Sequence, residues 1–66
     1  MTVTVNGERR DVPDHVTVTG LIEALGLQVS ATVVERNGEI LERTRYTDVT
    51  LAQGDVLELV RFVGGG

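Results

Sequence analysis

Polar and apolar residues alternate strictly over residues 1–5, with Val3 and Val5 on one face and threonines on the other. This two-residue period is typical of a half-buried strand. Asn6-Gly7 follows at once, and this pair favours a type I′ hairpin turn because both central residues of that turn need a positive φ. Residues 8–12 are therefore predicted to form the returning strand. Pro13 ends it, since proline cannot donate a hydrogen bond to the sheet.

The next apolar residues recur at three- and four-residue intervals, which predicts a short helix with one buried stripe: Val18, Leu21, Ile22 and Leu25. Thr17 is predicted to cap its N-terminus. Gly20 stands where a capping box would have Glu or Gln, so the box is incomplete. Gly26 is predicted to end the helix in the left-handed conformation. A helix this short must be held by packing onto a sheet.

The second half of the chain contains further strand and turn patterns. They predict, in order, a strand at 31–36, a turn at Asn37-Gly38, a return at 39–41, a mixed segment at 43–50 and a last strand at 56–62. The side chain of Tyr46 is expected to pack at the edge of the hydrophobic core. Asp55 is interpreted as a turn residue. Strands on either side of one helix indicate an α+β fold of two layers. The first and last strands are expected to pair in parallel at the centre of the sheet.

The last strand separates two kinds of apolar residue. Leu57 and Leu59 share one face, whereas Val60 and Phe62 share the other. If the helix covers the leucines, Val60 and Phe62 lie on the open face and predict a docking surface for a partner. The alternative is the reverse register, with Phe62 in the core and Leu59 outside.

The residues next to this face are assigned to the same surface. Arg61 and Val63 are included in the predicted partner-binding set with Val60 and Phe62. For Arg61, pairing with an acidic partner and simple solvation remain open as alternatives.

The printed sequence ends in Gly64-Gly65-Gly66. We expect a folded domain at 1–63 and a flexible tail at 64–66. Glycine has no Cβ, so such a tail can follow a channel too narrow for other residues. At ~3.3 Å per residue, residues 63–66 would reach ~13 Å from the fold. The alternative is that the glycines are merely a frayed end.

Composition excludes several classes of function. The chain has no cysteine, one histidine and no visible nucleophile–base pair or phosphate-binding loop, so catalysis and a metal cluster are not expected. The net charge of −4 disfavours nucleic acid and anionic membranes and suits a basic or mixed protein surface. There is no signal-peptide h-region and no apolar run long enough to span a bilayer, so we expect a cytoplasmic protein.

Three motifs together resemble the ThiS family: Val34-Glu35-Arg36-Asn37-Gly38, then Gly54-Asp55, then Phe62-Val63-Gly64-Gly65-Gly66. The resemblance covers nearly the whole chain. The terminal Gly-Gly alone is shared with all ubiquitin-like carriers, and the combination is more specific. Gly20 departs from the acidic residue usual in the family's first helical turn. The resemblance implies a ubiquitin-like β-grasp fold, with a mixed four- to five-stranded sheet packed on one helix.

The same resemblance implies a sulfur carrier of thiamine biosynthesis. A ThiF-type enzyme would use ATP to adenylate the Gly66 carboxylate, a sulfur-donor enzyme would convert it to a thiocarboxylate, and a ThiG-type thiazole synthase would accept the sulfur. The carrier itself is expected to bind no cofactor. Alternatives are a MoaD-like carrier for molybdopterin or another sulfur pathway, a ubiquitin-like modifier of target lysines, and a plain interaction domain.

Overall fold

Two Asn-Gly turns close the two hairpins of the computed structural model, which describes residues 1–61. In the first turn φ is +50° at Asn6 and +83° at Gly7, and in the second it is +51° at Asn37 and +86° at Gly38. Both pairs therefore have the positive φ that a type I′ turn requires, as predicted.

The elements follow the predicted order. They are β1 (Thr2–Val5), β2 (Glu8–Asp11), α1 (Val18–Ala24), β3 (Thr32–Arg36), β4 (Glu39–Ile40) and β5 (Val56–Arg61), with short 3₁₀ helices at Val29–Ala31 and Arg43–Arg45. The strands form one five-stranded sheet in the order β2-β1-β5-β3-β4. β5 is central, parallel to β1 and antiparallel to β3. The predicted parallel pairing of the first and last strands is confirmed.

The ends of α1 are fixed by the residues that the sequence indicated. The Thr17 hydroxyl accepts a hydrogen bond from the Gly20 N–H at 3.1 Å. At the other end Gly26 has φ +74°, and the Leu27 N–H donates to the Ile22 carbonyl at 3.1 Å. These bonds satisfy backbone groups that a helix end leaves unpaired. A Cβ at position 20 would lie 3.0 Å from the Val16 side chain, so glycine allows close packing there.

Several boundaries differ slightly from the sequence prediction. β2 stops at Asp11, although the Val12 N–H still donates to the Met1 carbonyl at 2.8 Å. β3 begins at Thr32 rather than at residue 31, because the chain before it forms the 3₁₀ helix at Val29–Ala31. β4 is shorter than predicted and covers only Glu39–Ile40.

The core lies between α1 and one face of the sheet. Its buried apolar residues are Val3, Val5, Val18, Leu21, Ile22, Val34, Tyr46, Val49, Leu51, Leu57 and Leu59. Tyr46 is buried, as expected, and its hydroxyl donates to the Thr32 carbonyl and accepts from the Val34 N–H, both at 3.0 Å. The phenol therefore fastens the 43–50 segment to β3 without leaving a buried polar group unpaired. Within residues 1–61, no helix has the length and apolar character needed to cross a membrane.

Candidate functional site

The central strand β5 leads directly to the predicted tail. The structure describes β5 through Arg61, so the predicted site residues Phe62, Val63, Gly64, Gly65 and Gly66 lie outside the described residues. What the structure defines is β5, the strand that precedes these residues in the chain. β5 has a buried face, an exposed face and a neighbouring strand on each edge.

The two faces of β5 have the predicted register. Leu57 is fully buried and Leu59 is 8% exposed, whereas Val56 and Val60 are 49% and 60% exposed. The alternative register, with Leu59 outside, is wrong. Arg61 is exposed and alternates with Val60, so its position on the strand belongs to the leucine face rather than to the face of Val60.

The exposed face of β5 continues onto the neighbouring strands. Val60 lies opposite Val33, and Glu58 lies opposite Glu35. Ile40, which is 68% exposed, lies opposite Glu35 on β4. We call the set Val33, Glu35, Ile40, Val56, Glu58 and Val60 the outer face. It combines exposed apolar side chains with two facing carboxylates, and like charges directly opposite each other destabilise a sheet.

No cation within residues 1–61 forms an ion pair with either carboxylate of the outer face. The ion pairs found there are Met1 with Asp14 and Arg36 with Asp55. An apolar surface with unneutralised acids suits a partner that presents both apolar and basic side chains.

The opposite end of β5 is fixed by the buried carboxylate of Asp55. Asp55 is not only a turn residue: it is 6% exposed and accepts three hydrogen bonds. The donors are the Ala52 N–H at 2.8 Å, Arg36 Nε at 2.9 Å and Asn37 Nδ2 at 3.0 Å. Asp55 therefore ties the start of β5 to the second hairpin turn.

The ionisation of Asp55 depends on these donors. Burial by itself raises the pKa of Asp55, but the hydrogen bonds from Ala52, Asn37 and Arg36, together with the charge of Arg36, outweigh it and hold the pKa below its usual value. Asn37 also contacts β5 directly: its Oδ1 accepts from the Val56 N–H at 2.9 Å, and its own N–H donates to the Val56 carbonyl at 2.7 Å.

The described residues offer little else that could support chemistry. Between residues 1 and 61, no group of three or more His, Asp or Glu side chains is placed to hold a metal ion. His15 is exposed, in a turn where its φ is +68°.

Comparison with known proteins decides the family. The model of the ThiS family matches residues 3–66. The chain belongs to the ThiS family. A similar solved structure is the crystal structure of the thiamine biosynthesis protein ThiS from Geobacter metallireducens, with a TM-score of 0.85, 40% identity and full coverage of both chains.

Two curated relatives of this ThiS-family chain are a sulfur carrier protein and a thiazole synthase. The sulfur carrier protein ThiS of Bacillus subtilis is 43% identical over 53 residues, which is 80% of each chain. The thiazole synthase of Paramagnetospirillum magneticum is 41% identical over all 66 residues of this chain. The chain spans only 20% of the length of that synthase.

These matches confirm the predicted family and the predicted ubiquitin-like β-grasp fold. The expectation of a carrier rather than a catalyst fits a family in which one relative is named a sulfur carrier protein. The matches assign no role to single residues, so the partner-binding roles of Val60, Arg61, Phe62 and Val63 and the reactive role of Gly66 stay predictions.

Replacing Asp55 with asparagine should destabilise the fold by about 1–3 kcal/mol at pH 7, because the pairing of a buried charged group is lost. The lowered folded-state pKa means that the carboxylate stabilises the fold above the unfolded-state value of about 4 and loses this effect as the pH falls further. The stability difference between wild type and Asp55→Asn should therefore narrow from about pH 5 to pH 2, measured by urea unfolding.

Asp48→Asn is the matched control, because Asp48 is exposed and its substitution should change stability by less than about 0.5 kcal/mol. A wild type and an Asp55→Asn variant with the same unfolding free energy at pH 7 would show that the network does not hold β5.

Proposed function

We propose that this chain carries sulfur for thiazole formation in thiamine biosynthesis, as a thiocarboxylate formed on Gly66. The observation that supports this most is that the ThiS-family match extends through Gly66 and so includes the three glycines. The names of two relatives, a sulfur carrier and a thiamine biosynthesis protein, support the pathway.

The chemistry explains why a carrier needs an activating enzyme. A carboxylate is a poor electrophile until one of its oxygens becomes part of a good leaving group. In the proposed reaction the Gly66 carboxylate attacks the α-phosphorus of ATP, pyrophosphate leaves, and a sulfur nucleophile then displaces AMP from the acyl carbon. ATP is used by the activating enzyme and is not a cofactor of the carrier. This use of ATP is consistent with our proposal that the protein works in the cytoplasm.

The sequence of the tail suits this chemistry. Three glycines without side chains allow the backbone to enter a narrow site that excludes water. In this proposal residues 1–63 form the domain that partners recognise, and residues 64–66 form the segment that enters the reacting site. The outer face provides the contact surface, and Val60 is its exposed apolar residue nearest to the tail along β5.

Each step of the proposed reaction requires a partner enzyme. They are a ThiF-type adenylating enzyme, a sulfur-donor enzyme and a thiazole synthase of the ThiG type. The last is supported by the thiazole synthase of Paramagnetospirillum magneticum, a fifth of which is covered by the match to this chain. Carrier and acceptor sequences thus occur together in that protein.

Adding one alanine after Gly66 should abolish thiocarboxylate formation. The terminal carboxylate would then belong to alanine, and it would be displaced from its reacting position in the narrow site of the activating enzyme. The measurement is the mass of the intact chain after incubation with an activating enzyme, ATP and a sulfur donor. The thermal unfolding midpoint should equal that of the wild type, because the sheet and the core are built from residues 1–61.

Deletion of Gly65 and Gly66 serves as the second variant and should be equally inactive. Activation of the extended chain at the wild-type rate would contradict the proposal, as would lysine-linked conjugates as the main product, which favour a protein modifier.

Val60→Asp should weaken binding of the activating enzyme by roughly tenfold or more, the size expected for an apolar residue central to an interface. Titration calorimetry or surface plasmon resonance can measure this change. Val56→Asp is the matched comparison and should weaken binding less, because Val56 is also an exposed valine of the outer face but lies at the start of β5, away from the predicted tail.

Both substitutions carry the same β-propensity cost, up to ~1 kcal/mol, so folding effects cancel in the comparison. Equal loss of binding in the two variants would show that the contact is not concentrated near the tail.

A further inference from the structure

The pairing of β5 with the first hairpin continues beyond the end of β1. β1 ends at Val5, yet the backbone N–H of Asn6 donates to the Leu57 carbonyl at 2.9 Å. The chain then turns at Gly7 and returns as β2 on the far side of β1. After the Asn6 N–H, the first hairpin therefore forms no further backbone hydrogen bond with β5.

The side chain of Asn6 takes the place of the missing backbone group. Its Oδ1 accepts a hydrogen bond from the Leu59 N–H at 2.8 Å, and its Nδ2 donates to the Leu59 carbonyl at 3.3 Å. One carboxamide thus satisfies both backbone groups of Leu59, as a neighbouring strand would. On the other edge of β5, Leu59 is paired with Val34 of β3.

Leu59 is consequently the last position of β5, within residues 1–61, that has a neighbour on both edges. Past it, the described strand is paired with β3 alone, through Val60 and Arg61. A strand end held on one edge opens more readily than one held on both. The Asn6 carboxamide therefore lies where the fully paired sheet gives way to the segment that continues to Gly66.

The turn geometry alone does not explain these bonds. Glycine satisfies a positive φ at least as well as asparagine, so the turn does not require a carboxamide. Asn37 occupies the equivalent position of the second turn, with nearly the same φ, and its side chain also bonds to β5. It does so at Val56, the opposite end of the strand from the tail. The two asparagines therefore hold opposite ends of β5, and Asn37 also donates to the buried Asp55 carboxylate.

We propose that Asn6 is a positioning residue that fixes the direction in which the chain leaves β5 and thereby sets the rate at which the Gly66 carboxylate is activated. This inference rests on the proposed carrier function. Asn6 does not touch the reacting atoms and acts through Leu59. Small misplacement of a reacting group costs rate even when binding is retained.

The test compares Asn6→Gly with Asn37→Gly, since each keeps a favourable turn and loses only a side chain. For each variant, kcat and KM for the carrier are measured in ATP-dependent activation, well below the unfolding midpoint. Asn6→Gly should lower kcat on the order of tenfold with little change in KM, because the outer face is intact. Asn37→Gly should lower the unfolding midpoint but leave kcat unchanged.

Asn6→Asp gives a graded variant, because it keeps an acceptor for the Leu59 N–H but loses the donor to the Leu59 carbonyl. Its kcat should lie between those of the wild type and Asn6→Gly. Amide hydrogen exchange gives a readout independent of activity: Asn6→Gly should speed exchange at Leu59 and Arg61 more than Asn37→Gly does.

An unchanged kcat in Asn6→Gly overturns the inference, and so does an equal fall in both glycine variants, which would indicate a general effect of stability. A wild-type chain that is not activated at all overturns the proposed function, and the inference about rate with it. That result is distinguishable from the first two, because they require an active wild type.

Discussion

The fold depends on one strand, β5, that is held along both edges and on one face. β5 pairs with β1 and β3 along its edges and packs Leu57 and Leu59 onto the core. A strand in this central position has few free backbone groups, so it gives a rigid base for whatever follows it. The pairing of β5 on both edges up to Leu59 suits the proposed function, in which the glycines from residue 64 onward enter a narrow site.

The charged side chains along β5 differ between its buried start and its exposed face. At its start, the buried Asp55 carboxylate is paired with Arg36 and Asn37, because an unpaired charge there would cost several kcal/mol. On its exposed face, Glu58 opposes Glu35 without an ion-paired cation among residues 1–61. The internal charges thus stabilise the fold, whereas the outward ones remain available to a partner.

Local sequence rules were sufficient for much of this fold. Both Asn-Gly turns, the Thr17 cap and the Gly26 helix end depend on neighbouring residues, and the alternation in β5 gave the correct faces. The roles of Asp55 and Asn6 were missed because their partners are distant in sequence: Asn37 is 18 residues from Asp55, and Leu59 is 53 residues from Asn6. The sulfur chemistry came from the family resemblance, since glycines carry no chemical signature beyond their flexibility.

The most direct test of the account is the intact mass of the wild-type chain after incubation with a ThiF-type enzyme, ATP and a sulfur donor. The account predicts a mass gain equal to the replacement of one oxygen by one sulfur, located by fragmentation at Gly66. It also predicts that omission of ATP prevents the change. An unchanged mass with enzymes that activate other ThiS proteins, or a sulfur atom located elsewhere in the chain, would contradict it.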